Sequence, residues 1–280
     1  MFSHERNFEP EGNEPQLPAR RIAMKVVSLD KGLEDTFWRH VSNDPLEYHF
    51  FIYDWKYQNK DTKIWLALEE DSISGLMLLF ADRIASLRGS PSAVTALLRN
   101  LNLDEVEINA PRDCEDVVLE RYRSPKKYEL MLMHLEKGQQ REVRRHETAR
   151  LSEKDVPEIA ELLMKANYEW LDKRMVGRIK KGMNDAYWLG IRRDNKIVSV
   201  GYTRFVDLGS NIGIVATDET YRNRGYASAI VAELVDEILK RSERALIHVL
   251  KGNSPAVRAY EKVGFRPHNS YLLMREARRV

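Results

Sequence analysis

The sequence has a single cysteine among its 280 residues, and this scarcity limits the chemistry that the protein can perform. One thiol excludes an intramolecular disulfide and a cysteine-based metal cluster, and it fits a reducing, cytoplasmic compartment. The residue, Cys114, is flanked by Asp113, Glu115 and Asp116, whose negative charge disfavours the thiolate that a nucleophile needs. We therefore expect a partly buried structural thiol at this position, and we expect no metal site.

Long apolar runs and an excess of one charge are also missing. The longest strongly apolar run, Leu76 to Ala81, is far shorter than the ~18 residues of a membrane-spanning helix, and the N-terminus lacks the apolar segment of a signal peptide. Lys and Arg number 45 against 43 Asp and Glu, so the net charge of +2 leaves no global basic surface for nucleic acid. We expect a soluble globular protein that binds neither nucleic acid nor membrane, and nothing predicts its oligomeric state.

The length favours two domains, because a typical domain has ~100–200 residues. Residues 1–23 are polar and proline-bearing, which predicts a flexible tail and leaves open that Met24 is the natural first residue. We expect a first α/β domain over residues 24–136, a polar linker over 137–145 and a second domain over 146–280. The clearest strand candidates of the first domain are Ile64–Glu69, Ile73–Ala81, Glu105–Ala110 and Tyr128–Leu135, and Pro91 opens a predicted helix.

The two halves share a short internal echo. Ile64 to Leu68 resembles Tyr187 to Ile191, and in each half an aspartate follows the tryptophan by six residues. Each segment predicts a β-hairpin with its turn at Asp71 or at Asp194-Asn195. The echo is short enough to arise either by duplication or by chance.

The segment from Ile212 to Ser228 predicts a strand, a turn and an amphipathic helix whose apolar positions continue to Leu239. Unpaired amide groups at a helix N-terminus attract anions, and the small residues Gly225 and Ala227 leave room for a phosphate. Arg222 and Arg224 can add charge-assisted hydrogen bonds. The alternative is an ordinary capped helix with exposed arginines, and the segment lacks both P-loop and Rossmann spacing.

A second informative block follows a predicted strand, Ala245–Leu250. In the run from Asn253 to Phe265, Ser254 is the expected N-cap, Pro255 the first helical residue and Gly264 the left-handed C-terminal cap. The helix is thus expected over about residues 255–263. It carries Tyr260, which either faces a functional site or packs in the core, since Ala256 lies on the same face.

Both blocks resemble hallmarks of the GNAT superfamily of CoA-dependent N-acyltransferases. Arg222-Asn223-Arg224-Gly225-Tyr226-Ala227 is similar to its (Gln/Arg)-x-x-Gly-x-(Gly/Ala) signature, and Tyr260-Glu261-Lys262-Val263-Gly264-Phe265 to its Tyr-Glu-Lys-x-Gly-Phe block. The resemblance spans residues 146–280. It implies a mixed, mostly antiparallel sheet with flanking helices, splayed to admit acetyl-CoA as cosubstrate.

The resemblance also implies site residues. Backbone groups of Val215 and Thr217 would bind the pantetheine arm, residues 222–228 (Arg222, Asn223, Arg224, Gly225, Tyr226, Ala227 and Ser228) would hold the pyrophosphate, and Asn253 would contact the cofactor. Tyr260 would lie near the thioester sulfur, where a phenol can protonate the leaving thiolate.

No general base is evident in the sequence. Asn211 and Gly213 stand where some members of the superfamily carry an acidic residue. His248 is one candidate, although a strand histidine is more often structural, and the amine can also lose its proton to ordered water.

The first half resembles the same fold more faintly, with Pro91 at the position where an amide N–H is wanted. We expect a degenerate repeat that shapes the acceptor pocket, an arrangement similar to the glycine N-acyltransferase-like branch. The expected activity is transfer of an acetyl group to a primary amine. The alternatives are a non-catalytic acyl-CoA sensor and an acetyltransferase that acts on proteins.

Overall fold

The computed structural model describes residues 24–166 and 175–280, and the predicted tail at residues 1–23 lies outside them. The described helices are α1 (Glu34–Val41), α2 (His49–Tyr57), α3 (Pro91–Leu98), α4 (Glu115–Leu119), α5 (Val156–Lys165), α6 (Met175–Gly182), α7 (Tyr226–Leu239) and α8 (Ser254–Val263). The strands are β1 (Lys25–Ser28), β2 (Thr62–Glu69), β3 (Ser72–Phe80), β4 (Ile84–Gly89), β5 (Glu105–Pro111), β6 (Tyr122–Arg123), β7 (Lys126–Glu136), β8 (Ala149–Arg150), β9 (Tyr187–Arg193), β10 (Lys196–Thr203), β11 (Ser210–Thr217), β12 (Arg244–Leu250) and β13 (Arg266–Arg279). Among the residues placed here, no helix is long and apolar enough to cross a membrane.

The strands join in one continuous sheet. Its order is β1-β2-β3-β4-β5-β13-β7-β12-β11-β10-β9-β8, and β6 pairs with β13. Neighbouring strands are antiparallel except for two parallel pairs, β4 with β5 and β11 with β12. The predicted mixed, mostly antiparallel sheet with flanking helices is therefore confirmed.

The two halves of the chain repeat one architecture. In each half a parallel strand pair is connected through a helix, α3 between β4 and β5 and α7 between β11 and β12. Both predicted hairpins form, β2 with β3 and β9 with β10. In the second hairpin, Asp194 and Asn195 adopt the positive φ angles, 49° and 62°, that a tight hairpin turn requires. The tandem arrangement expected from the sequence is confirmed at the level of the fold.

The halves exchange their last long strands. Strand β7, from the first half, pairs with β12, and β13, from the second half, pairs with β5. The packing follows the pairing, since Met131 and Met133 of β7 belong to the apolar cluster beneath α7, whereas Leu272 and Met274 of β13 belong to the cluster beneath α3. Each half thus completes the core of the other, and the division of the chain at residues 137–145 stays a prediction.

The polar segment 137–145 forms neither helix nor strand but is held against the second half. The backbone N–H of Arg141 donates to the carbonyl of Val263 at 2.8 Å. The Arg145 guanidinium lies 3.4 Å from the Glu233 carboxylate and 2.9 Å from that of Asp236, both on α7. These polar contacts hold the segment along the second half as the chain runs towards the N-terminus of α7. Polar contacts produce no hydrophobic period, so the sequence did not predict them.

Candidate functional site

The parallel strands of the second half separate along their length. Their pairing begins at Ser210 with Ala245 and ends at Ile212 with Ile247, although β11 continues to Thr217 and β12 to Leu250. The strands therefore diverge over their C-terminal parts and open a cleft in the sheet. The predicted backbone ligands Val215 and Thr217 lie on this diverging part of β11.

The N-terminus of α7 lies just beyond this cleft, and its cap is unusual. Gly225 occupies the N-cap position with φ of 84°, a conformation that costs other residues energy, and it has no side chain to accept from the first-turn amides. The first helical bond runs from the N–H of Ala229 to the carbonyl of Gly225 at 3.0 Å. The N–H groups of Tyr226, Ala227 and Ser228 thus precede the helical ladder and are oriented for an anion.

The space and charge around this turn also suit an anion. An added Cβ at Gly225 would have no heavy atom closer than the His146 Nε2 at 3.8 Å, so the approach to the amides is open. Arg222, Asn223 and Arg224 are exposed on the turn. The guanidinium of Arg222 lies 3.4 Å from the exposed Glu219 carboxylate, a contact worth at most about 1 kcal/mol, so the cation is readily redirected to a phosphate.

Two predicted ligands can contribute only through their backbone. The Tyr226 side chain is buried and its hydroxyl accepts a hydrogen bond from Arg193 Nε at 3.1 Å. The Ser228 hydroxyl donates to the carbonyl of Ala259 on α8 at 3.3 Å. These side chains hold the helix N-terminus, and the binding of an anion by the backbone N–H groups of the two residues stays a prediction.

One residue that supports the turn before α7, His146, was not predicted from the sequence. His146, just after the polar segment, has its Nε2 3.1 Å from the carbonyl oxygen of Arg224 and its Nδ1 3.4 Å from Arg193 Nη2. A neutral imidazole satisfies both contacts if Nε2 donates and Nδ1 accepts, and burial lowers the pKa of His146, which favours that form. The ring also contacts that of Tyr226, with the centroids 4.6 Å apart. No local motif marks His146 or Arg193, because their partners are distant in sequence.

The second predicted block forms the expected helix, with one correction. Asn253, not Ser254, is the N-cap of α8, because its Oδ1 accepts from the N–H of Ala256 at 3.3 Å while Ser254 is already helical. Asparagine and serine are both good caps, so the local sequence did not decide between them. Asn253 is exposed and borders an open cavity of about 480 Å³ with Leu250.

The Tyr260 ring lies in the apolar cluster of the second half, with 6% of its surface exposed. Val215 of β11 packs against the same cluster. The predicted C-terminal cap is present at Gly264. The structure thus brings the two sequence blocks into contact, through the Ser228 hydroxyl and the Ala259 carbonyl, and the catalytic role of Tyr260 stays a prediction.

The corresponding helix N-terminus of the first half is already satisfied. The Ser90 hydroxyl caps α3 by accepting from the N–H of Ala93 at 3.3 Å, and Pro91 has no N–H to offer. Fewer first-turn amides therefore remain for an anion than in α7.

The corresponding cleft of the first half is filled. Pairing of β4 with β5 ends at Ser86 with Asn109, and the buried Arg88 follows. Its Nη1 donates to Asn109 Oδ1 at 2.7 Å, its Nε lies 2.5 Å from Glu47 Oε1, and its guanidinium stacks 3.9 Å from the centroid of Tyr271. A buried ion pair thus occupies the space that the second half keeps open, so the groups of the second half fit CoA and those of the first do not.

Comparison with known proteins gives the same fold. Residues 188–273 match the model of the FR47-like protein family. No curated protein sequence matches the chain. A GCN5-related N-acetyltransferase from Sphaerobacter thermophilus superposes with a TM-score of 0.58 at 15% identity, covering 95% of this chain and 98% of that one.

Two further structures are similar over most of the chain. An acetyltransferase of the GNAT family from Colwellia psychrerythraea has a TM-score of 0.57 at 11% identity, covering 89% of this chain and 98% of its own. A tandem GNAT protein from the clavulanic acid biosynthesis pathway has a TM-score of 0.57 at 10% identity, covering 92% and 98%. At these identities the likeness establishes the fold, and the site must be argued from the residues of this chain.

Proposed function

We propose that this chain, which has the fold of the GNAT superfamily and an FR47-like match in its second half, is an acyl-CoA-dependent N-acyltransferase that transfers an acetyl group from acetyl-CoA to a primary amine. The observation that carries the proposal is the open first turn of α7, capped by a glycine in the left-handed conformation beside two diverging strands. An anion site and a cleft in the sheet together suit a cosubstrate with a pyrophosphate and a long pantetheine arm.

The proposed binding roles follow from position. The amides of residues 225–228 and the Arg222, Asn223 and Arg224 side chains hold the pyrophosphate. Backbone groups of Val215 and Thr217 bind the pantetheine arm, and Asn253 contacts the cosubstrate from the N-cap of α8. The net charge of the whole chain is only +2, and the cationic side chains of this turn lie where the cosubstrate would carry its phosphates.

The chemistry is direct attack. A neutral amine forms a C–N bond with the thioester carbonyl carbon, the C–S bond breaks, and the thiolate leaves with a proton supplied by the Tyr260 hydroxyl. The nitrogen, which becomes positively charged on attack, loses one proton to solvent as the amide forms, and the Tyr260 phenolate takes up one proton from solvent. Cys114 has no part in this route, because burial, reinforced by Asp113, raises its thiol pKa to about 12 and keeps it protonated. A buried reduced thiol also suits the cytoplasmic location that we propose.

A small-molecule acceptor is favoured over a protein. Helix α2 of the first half packs against the second half through Phe50, whose ring lies 4.8 Å from that of His248, and through Lys56, whose Nζ lies 3.3 Å from the Asp207 carboxylate. A helix placed over this surface leaves less room for an extended peptide than an open groove would.

Turnover separates the enzyme from an acyl-CoA sensor. The full chain is mixed with acetyl-CoA and a panel of small primary amines, and both thiol release and the acetylated product are measured. We expect stoichiometric thiol and amide. Binding of acetyl-CoA without any amide product would favour the sensor, and acetylation of proteins but of no small amine would favour a protein acceptor.

A further inference from the structure

Helix α2 of the first half covers one surface of the second half. On β12, Ile247 and Val249 belong to the cluster beneath α7, so the alternating residue His248 faces the opposite side of the sheet. Phe50 contacts His248 there, and His49 hydrogen-bonds to the backbone of Gly209, in the loop between β10 and β11. The first half thus provides a wall on the side of the cleft away from the proposed phosphate site.

Asp54 lies on the surface of α2 that faces the second half. Phe50, Tyr53 and Asp54 follow the helical spacing of one face, whereas Phe51 and Ile52 pack into the core of the first half. The Asp54 side chain is partly buried, and it is the backbone carbonyl of Asp54 that accepts from the Thr62 hydroxyl, at 3.4 Å. The Arg204 guanidinium, just after β10, acts electrostatically on this carboxylate and favours its charged form.

At Gly213, strand β11 has no space for an acidic side chain. A Cβ there would lie 2.6 Å from the Tyr202 hydroxyl oxygen, because the Tyr202 ring crosses over this residue. That ring is held by stacking on Trp188, with the centroids 4.4 Å apart, and the Arg204 guanidinium lies 5.3 Å from its centroid. Tyr202 therefore occupies the space of an acidic side chain, and Arg204 connects this region to Asp54.

His248, the base considered from sequence, is badly placed for the task. Its Nδ1 lies 3.0 Å from Asn211 Oδ1, and burial, reinforced by His49 and Arg88, lowers its pKa to about 3. Burial raises the pKa of Asp54 to about 7, with Arg204 opposing the shift. A proton acceptor near pH 7 works best with a pKa close to that value, which favours Asp54 over His248.

We propose that the first half contributes the general base: the carboxylate of Asp54, presented by α2 across the interface, accepts a proton from the ammonium group of the acceptor. This inference rests on the proposed N-acyltransferase function. The N–H bond of the ammonium breaks and an O–H bond forms on Asp54, and the nitrogen lone pair becomes free to attack the thioester carbon. Asp54 returns the proton to solvent after the amide leaves.

The test compares full-length Asp54→Asn with the wild type over pH 5.5–9.5, using the most active small amine. We expect kcat/KM of the wild type to rise with pH through a limb near pH 7, and that limb to disappear in Asp54→Asn with a loss of about 10²–10⁴-fold. The acetyl-CoA dissociation constant should change less than twofold. Asp82→Asn, an exposed carboxylate of the first half paired with Lys63, is the matched control and should keep the wild-type profile.

A second variant distinguishes loss of the carboxylate from a folding defect or an indirect effect of the substitution. Asp54→Ser removes the carboxylate and leaves space, so added formate should restore part of the activity of this variant and none to Asp82→Asn. A full pH limb in Asp54→Asn, or an unchanged kcat in both Asp54 variants, would overturn the assignment while wild-type turnover left the proposed function intact. Absence of turnover in the wild type, by contrast, would count against the function itself.

Discussion

The most direct test of the phosphate site is a charge placed at the N-cap of α7. We compare Gly225→Asp with Gly225→Asn, two side chains of nearly equal size that both tolerate the left-handed conformation and can both cap a helix. The nearest heavy atom to a Cβ at this position is 3.8 Å away, so neither variant meets a steric barrier. The backbone φ of 84° costs either variant about 1 kcal/mol, which a new cap interaction offsets.

The two variants differ in charge alone, and the expected effect follows from it. A carboxylate about 4 Å from one phosphate charge is repelled by ~1 kcal/mol in water and by ~4 kcal/mol at the effective dielectric of a protein surface. At 1.4 kcal/mol per factor of ten, acetyl-CoA should bind Gly225→Asp roughly fivefold to several hundredfold more weakly than Gly225→Asn. Self-capping of the first-turn amides should weaken both variants relative to the wild type.

Isothermal calorimetry gives the dissociation constants, and thermal unfolding monitors the fold. We expect melting temperatures within a few degrees of the wild type for both variants. Equal acetyl-CoA affinities of the Asp and Asn variants, in folded protein, would refute the placement of a phosphate at this helix terminus. Raising the salt concentration should reduce the difference in acetyl-CoA affinity between the Asp and Asn variants, because salt screens charges on the exposed turn.

Four further outcomes are expected. Tyr260→Phe should lower kcat by about 10²–10⁴-fold with little change in acetyl-CoA affinity, whereas joint loss of affinity and melting temperature would indicate that the ring acts only in the core. Calorimetric titration of the full chain should give one acetyl-CoA per chain, and a second site would contradict the filled cleft of the first half. Arg88→Met leaves the Glu47 carboxylate without its buried cation and should lower the free energy of unfolding, measured in urea, by about 3–5 kcal/mol. The acetyl-CoA dissociation constant of this variant should equal that of the wild type. Burial raises the pKa of Asp54 in the folded protein, so the folded state binds more protons at this group than the unfolded state does. The free energy of unfolding of the wild type, relative to that of Asp54→Asn, should therefore decline as pH rises from about 4 to about 7. A difference in melting temperature between the two proteins that stays constant over this range would contradict the burial of this carboxyl group.

Local patterns predicted most of the elements that build the site. The alternating apolar residues of β11 and the periodic apolar face of α7 are properties of consecutive residues, so their type could be read without a partner. The open approach at Gly225 was predicted from its lack of a side chain, whereas its N-cap position and its left-handed conformation were seen only in the structure. The prediction of Ser254 as the N-cap of α8 was wrong, because Asn253 takes that position and both residue types are good caps.

Contacts between distant residues could not be predicted in this way. Asp54 and Arg204 are 150 residues apart, and neither stands in a motif. His146 follows a polar segment without hydrophobic period, yet it supports the carbonyl of Arg224 at 3.1 Å. The exchange of β7 and β13 was equally hidden, because an apolar strand specifies which of its faces is buried and not which neighbour it pairs with.

The strand exchange makes the first half part of the same sheet as the second half, so the first half has a structural role that needs no phosphate site. Because β13 pairs with both β5 and β7, main-chain hydrogen bonds run without interruption from one half to the other. The Arg88 contacts fill the cleft of the first half, so under the proposed function this half offers no second site for CoA. Helix α2 is thereby presented to the second half from a scaffold joined to it through the sheet. A tethered but independently moving domain would have to position Asp54 anew in each encounter, and the ordering cost of that step would raise the barrier.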